Sequence, residues 1–301
     1  MAAGPHVLMV FLDGVGIGAK DSPHNPFFSA PLPAFTKLGG GTLPSLRNAR
    51  HSSSIASCVP VNATLGVKGL PQSGTGQTSL MTGINAARLI GKHFGPYPYS
   101  TLKPVIAESN IFRQLHDSGK SVCFANAFPR QFFEYIAAKN RASAITTSWI
   151  SSGFALNDHH ALAAGEALSA DITNARWPSM GYPDIQPISP QKAGARLASL
   201  AREHNFVLFE YWLTDHVGHD QSAREANDVL HNLDGLFEGI LDNLGGTLLV
   251  VTSDHGNLED LSTKSHTRNP VPLMCAGRQH HRITDRVKNL THIAPAILEL
   301  F

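Results

Sequence analysis

The feature that most constrains the fold is a regular alternation of short apolar runs with amphipathic stretches of helical spacing. Apolar runs at 7–13 (VLMVFLD), 206–215 (FVLFEYWLTD) and 247–252 (TLLVVT) are typical of buried strands, and helical patterns occupy 189–205 and 223–246. Strands that alternate with helices in this way form parallel sheets that helices cover on both faces. The sequence therefore predicts an α/β fold with a mostly parallel central sheet.

One stretch, 128–188, departs from this alternation. It is rich in Ala, Ser, Thr, Trp and Pro, and its apolar residues show weaker periodicity. A chain of 301 residues is long enough for one large domain with an insert. We therefore expect a single domain over 1–301, with a small cap or insert at about 128–188.

Composition excludes several classes of partner. The formal net charge of +1 does not favour binding to nucleic acid or to an anionic membrane surface. No apolar run approaches the roughly 20 residues that span a bilayer, and the first strand-like run begins at His6, which leaves no room for a signal peptide. Cys58, Cys123 and Cys275 are odd in number and far apart, which is typical of reduced, buried thiols in a cytoplasmic protein. A small molecule is the expected partner, and no pattern indicates the oligomeric state.

Acidic residues stand at the ends of three predicted strands, and histidines accompany two of them. Each has an ordinary explanation alone, either turn chemistry or a surface pair on a helix. Together they are more than turn propensity produces, because the carboxyl ends of strands in an open α/β sheet meet at one edge. Three carboxylates and three imidazoles suit two metal ions, and a set without thiolates suits Zn²⁺ or Mn²⁺. The predicted ligands are Asp13, Asp215, His219, Asp254, His255 and His266.

A glycine- and hydroxyl-rich loop, GLPQSGTGQTSLMTG at 69–83, opens a predicted helix. The N-terminus of a helix offers free N–H groups and a partial positive charge, which favour an anion such as phosphate. Ser73 and Thr75 are both candidate nucleophiles. The loop is neither a Walker loop nor a G-x-S-x-G elbow, and a serine that caps a helix is the ordinary explanation of Ser73.

The motifs, in this order, resemble the alkaline phosphatase superfamily, and within it the metal-binding core of cofactor-independent phosphoglycerate mutase. Asp13-Gly14 matches the Asp-Gly after the first strand, and Ser73 matches the serine of Asn-Ser-Glu-Val-Gly-His. Later motifs of the family, Asp-x-x-x-His, Asp-His-Gly-Asn and His-Thr-x-Asn, match residues 215–219, 254–257 and 266–269, and the match covers roughly 5–125 and 190–301. The resemblance favours Ser73 over Thr75 as the nucleophile.

The resemblance also implies how the ligands divide between two metal ions. One ion is implied for Asp215, His219 and His266. The other is implied for four residues, with the Ser73 oxygen as a ligand: Asp13, Ser73, Asp254 and His255.

Two departures from the mutase pattern decide the predicted reaction. The mutases carry a far larger inserted domain near residue 90, and Gln77 replaces the histidine of the serine motif. We therefore predict a two-metal hydrolase of phosphate esters, a monoesterase or diesterase, with a phosphoseryl intermediate on Ser73. The alternatives are a mutase-like intramolecular phosphotransferase, a phosphonate hydrolase, and a non-catalytic metal-binding protein with the same fold.

Contacts with the substrate are expected near the nucleophile. The N–H groups of Gly74 and Thr75 would meet the charge of the transferring group. Lys92 and His93, in the segment after the nucleophile helix, and Arg268 are further candidates.

Overall fold

The computed structural model describes residues 4–301, and its strands and helices follow in chain order. The strands are β1 (Val7–Leu12), β2 (His51–Ser52), β3 (Ala56–Val61), β4 (Val122–Phe124), β5 (Asn126–Ala127), β6 (Leu168–Ser169), β7 (Phe206–Tyr211), β8 (Leu248–Thr252) and β9 (Val271–Ala276). The helices are α1 (Pro33–Leu38), α2 (Ser73–Thr82), α3 (Ala86–Ile90), α4 (Leu102–Ser109), α5 (Ile111–Asp117), α6 (Arg130–Lys139), α7 (Ala144–Ser151), α8 (His159–Ala164), α9 (Pro190–Glu203), α10 (Leu213–Asp220), α11 (Ala223–Asp242), α12 (His281–Thr284) and α13 (Ile293–Leu298).

Seven strands form the central sheet, in the order β2-β3-β9-β8-β1-β7-β4. The strands β8, β1, β7 and β4 are parallel to one another, whereas β9 is antiparallel to both of its neighbours and β2 is antiparallel to β3. The predicted α/β fold with a mostly parallel sheet is confirmed. The antiparallel strands lie together on one side of the sheet.

Helices cover both faces of the sheet, so each central strand is buried on both sides. In β1, the side chains of Leu8, Val10 and Leu12 belong to one apolar core, while Val7, Met9 and Phe11 belong to the other. This alternation follows from the two-residue period of a strand. The first core contains residues of α1, α9 and α11, and the second contains residues of α2, α5, α7 and α13.

The stretch predicted to be an insert divides into two parts. Helix α7 packs into the second core through Ile145 and Trp149. Part of the remainder, including Leu162 and Ile185, forms a small apolar cluster around Trp177, near the two-stranded sheet of β5 and β6. Trp149 is therefore part of the main body, although the sequence placed it in the insert.

The three cysteines are free and buried, as expected. The loop at 69–83 opens helix α2, as predicted, and Gly83 ends that helix with a left-handed backbone (φ 76°). Ser189 caps α9 by accepting a hydrogen bond from the Lys192 amide. No helix within residues 4–301 combines the length and the hydropathy that a membrane span requires.

Replacement of Gly194 by Ala is expected to destabilise the protein, although alanine normally stabilises a helix. Helices α9 and α11 approach so closely that a Cβ at Gly194 would lie 2.1 Å from the Leu236 carbonyl oxygen. Such overpacking costs about 1–3 kcal/mol of unfolding free energy. Urea denaturation measures the loss, and Gly246→Ala is the control, since no atom lies within 4 Å of its added Cβ. A Gly194→Ala protein as stable as the parent would contradict this packing.

Candidate metal centre

The predicted ligands meet at the carboxyl edge of the parallel strands. Asp13 directly follows β1, and Asp254 and His255 lie just beyond β8. Helix α10 begins two residues after β7 and places Asp215 and His219 one turn apart on one face. His266 comes from the loop between β8 and β9. The expected convergence at one edge is present, because each residue follows a neighbouring strand of the sheet.

Asp215, His219 and His266 form one cluster. The Asp215 Oδ2 atom lies 3.2 Å from His219 Nε2, and its Oδ1 atom lies 3.5 Å from His266 Nε2. The two imidazole Nε2 atoms are 3.2 Å apart. One oxygen and two nitrogens thus face a common point, in an arrangement that can hold a metal ion.

A second cluster surrounds the Nε2 atom of His255. Ser73 Oγ lies 3.0 Å from this nitrogen. Asp13 Oδ1 and Asp254 Oδ2 lie 3.3 Å and 3.6 Å from it. These are the four residues that the family resemblance groups around the second ion.

The two clusters lie side by side and are in contact. The rings of His255 and His266 are stacked, with centroids 3.7 Å apart and an interplanar angle of 16°. Asp215 Oδ1 is 4.0 Å from His255 Nδ1, so this carboxylate contacts both groups. Two metal centres a few ångströms apart are the arrangement that suits phosphoryl transfer.

Backbone carbonyls fix the orientation of two imidazoles. His266 Nδ1 lies 2.7 Å from the Pro71 oxygen, and His219 Nδ1 lies 2.6 Å from the Lys264 oxygen. A carbonyl only accepts, so each Nδ1 carries the proton and, in a neutral ring, each Nε2 carries a lone pair. Two lone pairs at 3.2 Å repel each other unless a proton or a cation lies between them. The donor set therefore fits a divalent ion.

The buried carboxylates of the site also favour the binding of a cation. Burial, with the nearby charges of Asp254 and Asp215, raises the pKa of Asp13 well above its usual range. Burial and Asp215 raise the pKa of Asp254 to about 7. Asp13 Oδ1, Asp254 Oδ2 and His255 Nδ1 are buried without a hydrogen-bond partner among residues 4–301. A bound cation would satisfy these atoms and reverse the shifts.

In the first cluster, formed by Asp215, His219 and His266, the pKa of the carboxylate is shifted in the opposite direction. Burial acts to raise the pKa of Asp215, but the hydrogen bond from His219 and the charges of neighbouring imidazoles hold it well below its usual range. The hydrogen bond to Asp215 raises the pKa of His219 to about 8. Burial lowers the pKa of both His255 and His266. Asp215 is therefore ionised at neutral pH, and the two buried imidazoles are neutral, as metal ligation requires.

Affinity for Mn²⁺ is expected to fall as the pH drops from about 9 to about 6. Protonated Asp254 and protonated His219 cannot bind a metal ion, and both pKa values lie in this interval. For each ligand that must lose a proton, the affinity for the metal falls about tenfold per pH unit below the pKa of that ligand. Calorimetry in buffers of different ionisation enthalpy counts the protons released, which we expect to number at least one near pH 6 and to vanish at high pH. An affinity independent of pH would contradict the assignment.

The turn at the start of α2 distinguishes the two candidate nucleophiles. Gln72, not Ser73, occupies the helix-cap position, so the capping explanation of Ser73 is wrong. The Ser73 hydroxyl faces His255, whereas the Thr75 hydroxyl donates to the Gln72 carbonyl at 3.2 Å and accepts from the Phe94 amide. Thr75 is also fully buried. This geometry favours Ser73.

The residues predicted to contact the substrate lie in two places. The Thr75 amide donates to the Phe94 carbonyl, so it is not free to bind an anion, and Gly74 remains the candidate amide of this turn. Lys92 and His93 line a shallow depression separate from the Ser73 cavity. Arg268 donates to the Gly69 carbonyl at 2.5 Å. Their contact with a substrate stays a prediction.

Four further polar residues support the clusters, and sequence reasoning assigned none of them a contact. Gln77 donates to Asp13 Oδ2 at 3.1 Å, and Asn257 donates to Asp215 Oδ1 at 2.7 Å. Glu259 is buried and accepts from the amides of Gly16 and Asn257, which ties two site loops together. Glu210 lines the Ser73 cavity, and burial raises its pKa to about 8. Its one signal in the sequence was an acid inside an apolar strand run.

The fold and the site together define a class: an α/β protein with a two-cluster carboxylate and imidazole centre beside a serine. Comparison with known proteins agrees. Residues 179–301 match the model of the Metalloenzyme superfamily. A segment of 84 residues is 30% identical to the 2,3-bisphosphoglycerate-independent phosphoglycerate mutase of Pyrococcus abyssi and covers 27% of this chain but only 20% of that enzyme.

Solved structures share the whole fold. A protein of Pyrococcus horikoshii has a TM-score of 0.58 at 14% identity, over 100% of this chain and 97% of the other. The alkaline phosphatase of Thermus thermophilus has a TM-score of 0.54 at 10% identity, over 99% and 92% of the two chains. At these identities the structures show the fold alone. With the family model and the mutase segment, they confirm the resemblance to the alkaline phosphatase superfamily, whose members are metal-dependent phosphoryl-transfer enzymes.

Proposed function

We propose that this protein is a two-metal-dependent phosphatase that hydrolyses phosphate monoesters through a phosphoseryl intermediate on Ser73. The observation that carries the proposal is the position of Ser73. Its hydroxyl lies 3.0 Å from His255, beside both clusters, and lines a cavity of about 500 Å³. That volume is typical of a small-molecule site.

Metal ions fit the residues present, since buried carboxylate oxygens lack partners and the Nε2 atoms of His219 and His266 lie 3.2 Å apart. Asp215, His219 and His266 would hold one ion, and Asp13, Asp254, His255 and the Ser73 oxygen the other. When bound, two divalent ions supply positive charge that acidifies the serine hydroxyl and neutralises the phosphoryl group. Mn²⁺ and Zn²⁺ both suit this donor set.

The chain's own residues would carry the reaction in two displacements. Ser73 Oγ gives up its proton and forms a bond to phosphorus, while the ester P–O bond breaks and the alcohol leaves with a proton. Water then attacks the phosphoserine, releases phosphate, and returns a proton to Ser73 Oγ. The Gly74 amide, at the positive end of α2, is placed to orient a phosphoryl oxygen.

Exposure at the site favours hydrolysis over an intramolecular transfer. The side chain of His219 is 43% exposed, so water reaches the first cluster directly. A mutase must keep water from its phosphoenzyme until the substrate takes the phosphoryl group back. A mutase remains the second candidate, because phosphoglycerate mutases are among the curated relatives that match.

The test separates the two reactions. Protein stripped of metal and refilled with Mn²⁺ or Zn²⁺ is incubated with ribose 5-phosphate and, separately, with 3-phosphoglycerate in ¹⁸O-labelled water. We expect metal-dependent release of phosphate that carries the label. Formation of 2-phosphoglycerate without phosphate release would establish the mutase instead. Metal bound at the site with neither product from these esters would contradict the phosphatase.

A further inference from the structure

An aromatic wall faces the cavity that contains Ser73. It consists of Tyr97, Phe128, Phe132, Tyr135 and Trp212. These rings come from three separate segments, namely the loop between α3 and α4, the segment from the end of β5 through α6, and the junction of β7 with α10. The sequence analysis did not predict this wall, because the five residues are scattered over more than 100 positions.

Contacts between pairs of rings order four of the five members, and the Trp212 ring lies against His216. The rings of Phe128 and Phe132 are stacked, with centroids 4.2 Å apart. The hydroxyl groups of Tyr97 and Tyr135 are 2.7 Å apart and bridge the loop to α6. The 94–97 segment lies directly against the nucleophile turn, where the Thr75 amide donates to the Phe94 carbonyl. The aromatic surface is thereby fixed relative to Ser73.

Much of this wall is exposed, which is unusual for large apolar side chains. Trp212 is 43% exposed and Tyr135 is 37% exposed, and helix α6 contains no buried residue. Phe128 packs against the second core, but core packing does not account for Trp212 and Tyr135. Exposed apolar surface next to a polar cavity marks a ligand-binding site.

Charge in the cavity limits the kind of ligand. Arg141 is the one lysine or arginine among the lining residues, and its charge lies near the Tyr97 hydroxyl. No carboxylate pairs with Arg141 in the part of the chain that the structure describes. The proposed metal ions would meet the charge of the phosphoryl group, so the cavity offers one cation and five aromatic rings to the rest of the substrate.

We infer that the leaving group of the substrate carries a planar aromatic ring, as in a nucleoside monophosphate, and that the ring packs against the Trp212 and Phe132 side of the cavity. The inference rests on the proposed phosphatase activity. Stacking of a nucleobase on an aromatic side chain is favourable whichever base is present, because every base has a π-face. An amphipathic Trp or Tyr that is half-exposed suits such a ligand.

The test compares two substrates with the same ester bond. Adenosine 5′-monophosphate and ribose 5-phosphate release similar alcohols, so the ratio of their kcat/KM values isolates the base. We expect a ratio of about ten or more in favour of the nucleotide. Trp212→Ala and Phe132→Ala should both lower the ratio towards one. Ile150→Ala, which removes an exposed apolar side chain of α7 outside the cavity, should leave the ratio unchanged.

A second measurement does not depend on metal or turnover. Trp212 is the exposed tryptophan, whereas Trp149 and Trp177 are buried. Adenosine is therefore expected to quench the tryptophan fluorescence of the metal-free protein, and ribose is not. The quenching should disappear in Trp212→Phe.

The outcomes separate the two claims. If ribose 5-phosphate or hexyl phosphate is hydrolysed as fast as the nucleotide, the inference of an aromatic leaving group is overturned. The proposed phosphatase activity would not be affected by that result. Absence of turnover with both adenosine 5′-monophosphate and ribose 5-phosphate would contradict the proposed phosphatase activity. The fluorescence result would still decide whether the cavity binds the aromatic ring. No quenching by adenosine, together with a ratio near one, would overturn the inference.

Discussion

Ser73→Ala is expected to reduce turnover of phosphate monoesters by at least about a thousandfold, as removal of an attacking nucleophile does. Ser73 Oγ is the hydroxyl placed 3.0 Å from His255, and the nearby Thr75 hydroxyl is committed to the backbone of Gln72 and Phe94. Phosphate release with Mn²⁺ or Zn²⁺ measures the loss. Acid-quenched turnover followed by peptide mass spectrometry should detect a phosphoryl group on Ser73 in the parent protein alone.

The matched control is Ser100→Ala, an exposed serine in the neighbouring loop, which is expected to behave as the parent. Metal binding by Ser73→Ala should persist, because the six carboxylate and imidazole ligands of the two clusters do not depend on the hydroxyl. Full activity in Ser73→Ala would remove the phosphoseryl step from the proposal.

Asp215→Asn is expected to produce the largest loss of metal affinity of any single substitution. Asp215 contacts the ligands of both clusters, lying 3.2 Å from His219 and 4.0 Å from His255. Loss of a residue that only orients a ligand costs about 10- to 100-fold in affinity, so removal of a shared carboxylate should cost more than about 100-fold. Turnover should fall at least as far at ordinary metal concentrations.

Thermal unfolding with and without Mn²⁺ measures this effect directly, since a bound metal stabilises the folded state by mass action. The parent should unfold at a higher temperature with metal, and Asp215→Asn should show no such increase. Asp220→Asn, on the same helix but turned to solvent, is the control and should respond as the parent does. A normal increase in Asp215→Asn would contradict the shared position of this carboxylate.

The sheet and the metal clusters were accessible from the sequence for a common reason. Buried strands leave apolar runs of fixed length, and the carboxyl ends of parallel strands are neighbours in space. Asp13, Asp215 and Asp254 could therefore be placed together without coordinates. The spacing of Asp215 and His219 needed only the assumption of a helix, which α10 provides.

Other features could not be read from the sequence, because they depend on tertiary contacts. Strand β3 contains Pro60 and pairs with β9 in an antiparallel direction, and neither fact leaves a periodic signal. Glu259 looks like any surface acid until the loops at Gly16 and Asn257 close around it. The aromatic wall brings Tyr97, Tyr135 and Trp212 together only through the packing of two loops and helix α6.

The most direct test of the central claim is anomalous diffraction from crystals of the protein grown with Mn²⁺ or Zn²⁺. We expect two peaks per chain. One should lie between Asp215, His219 and His266, and the other between Asp13, Asp254 and His255, in contact with the Ser73 oxygen. No peak at either cluster, from protein that retains the phosphatase activity, would contradict two-metal catalysis at this site.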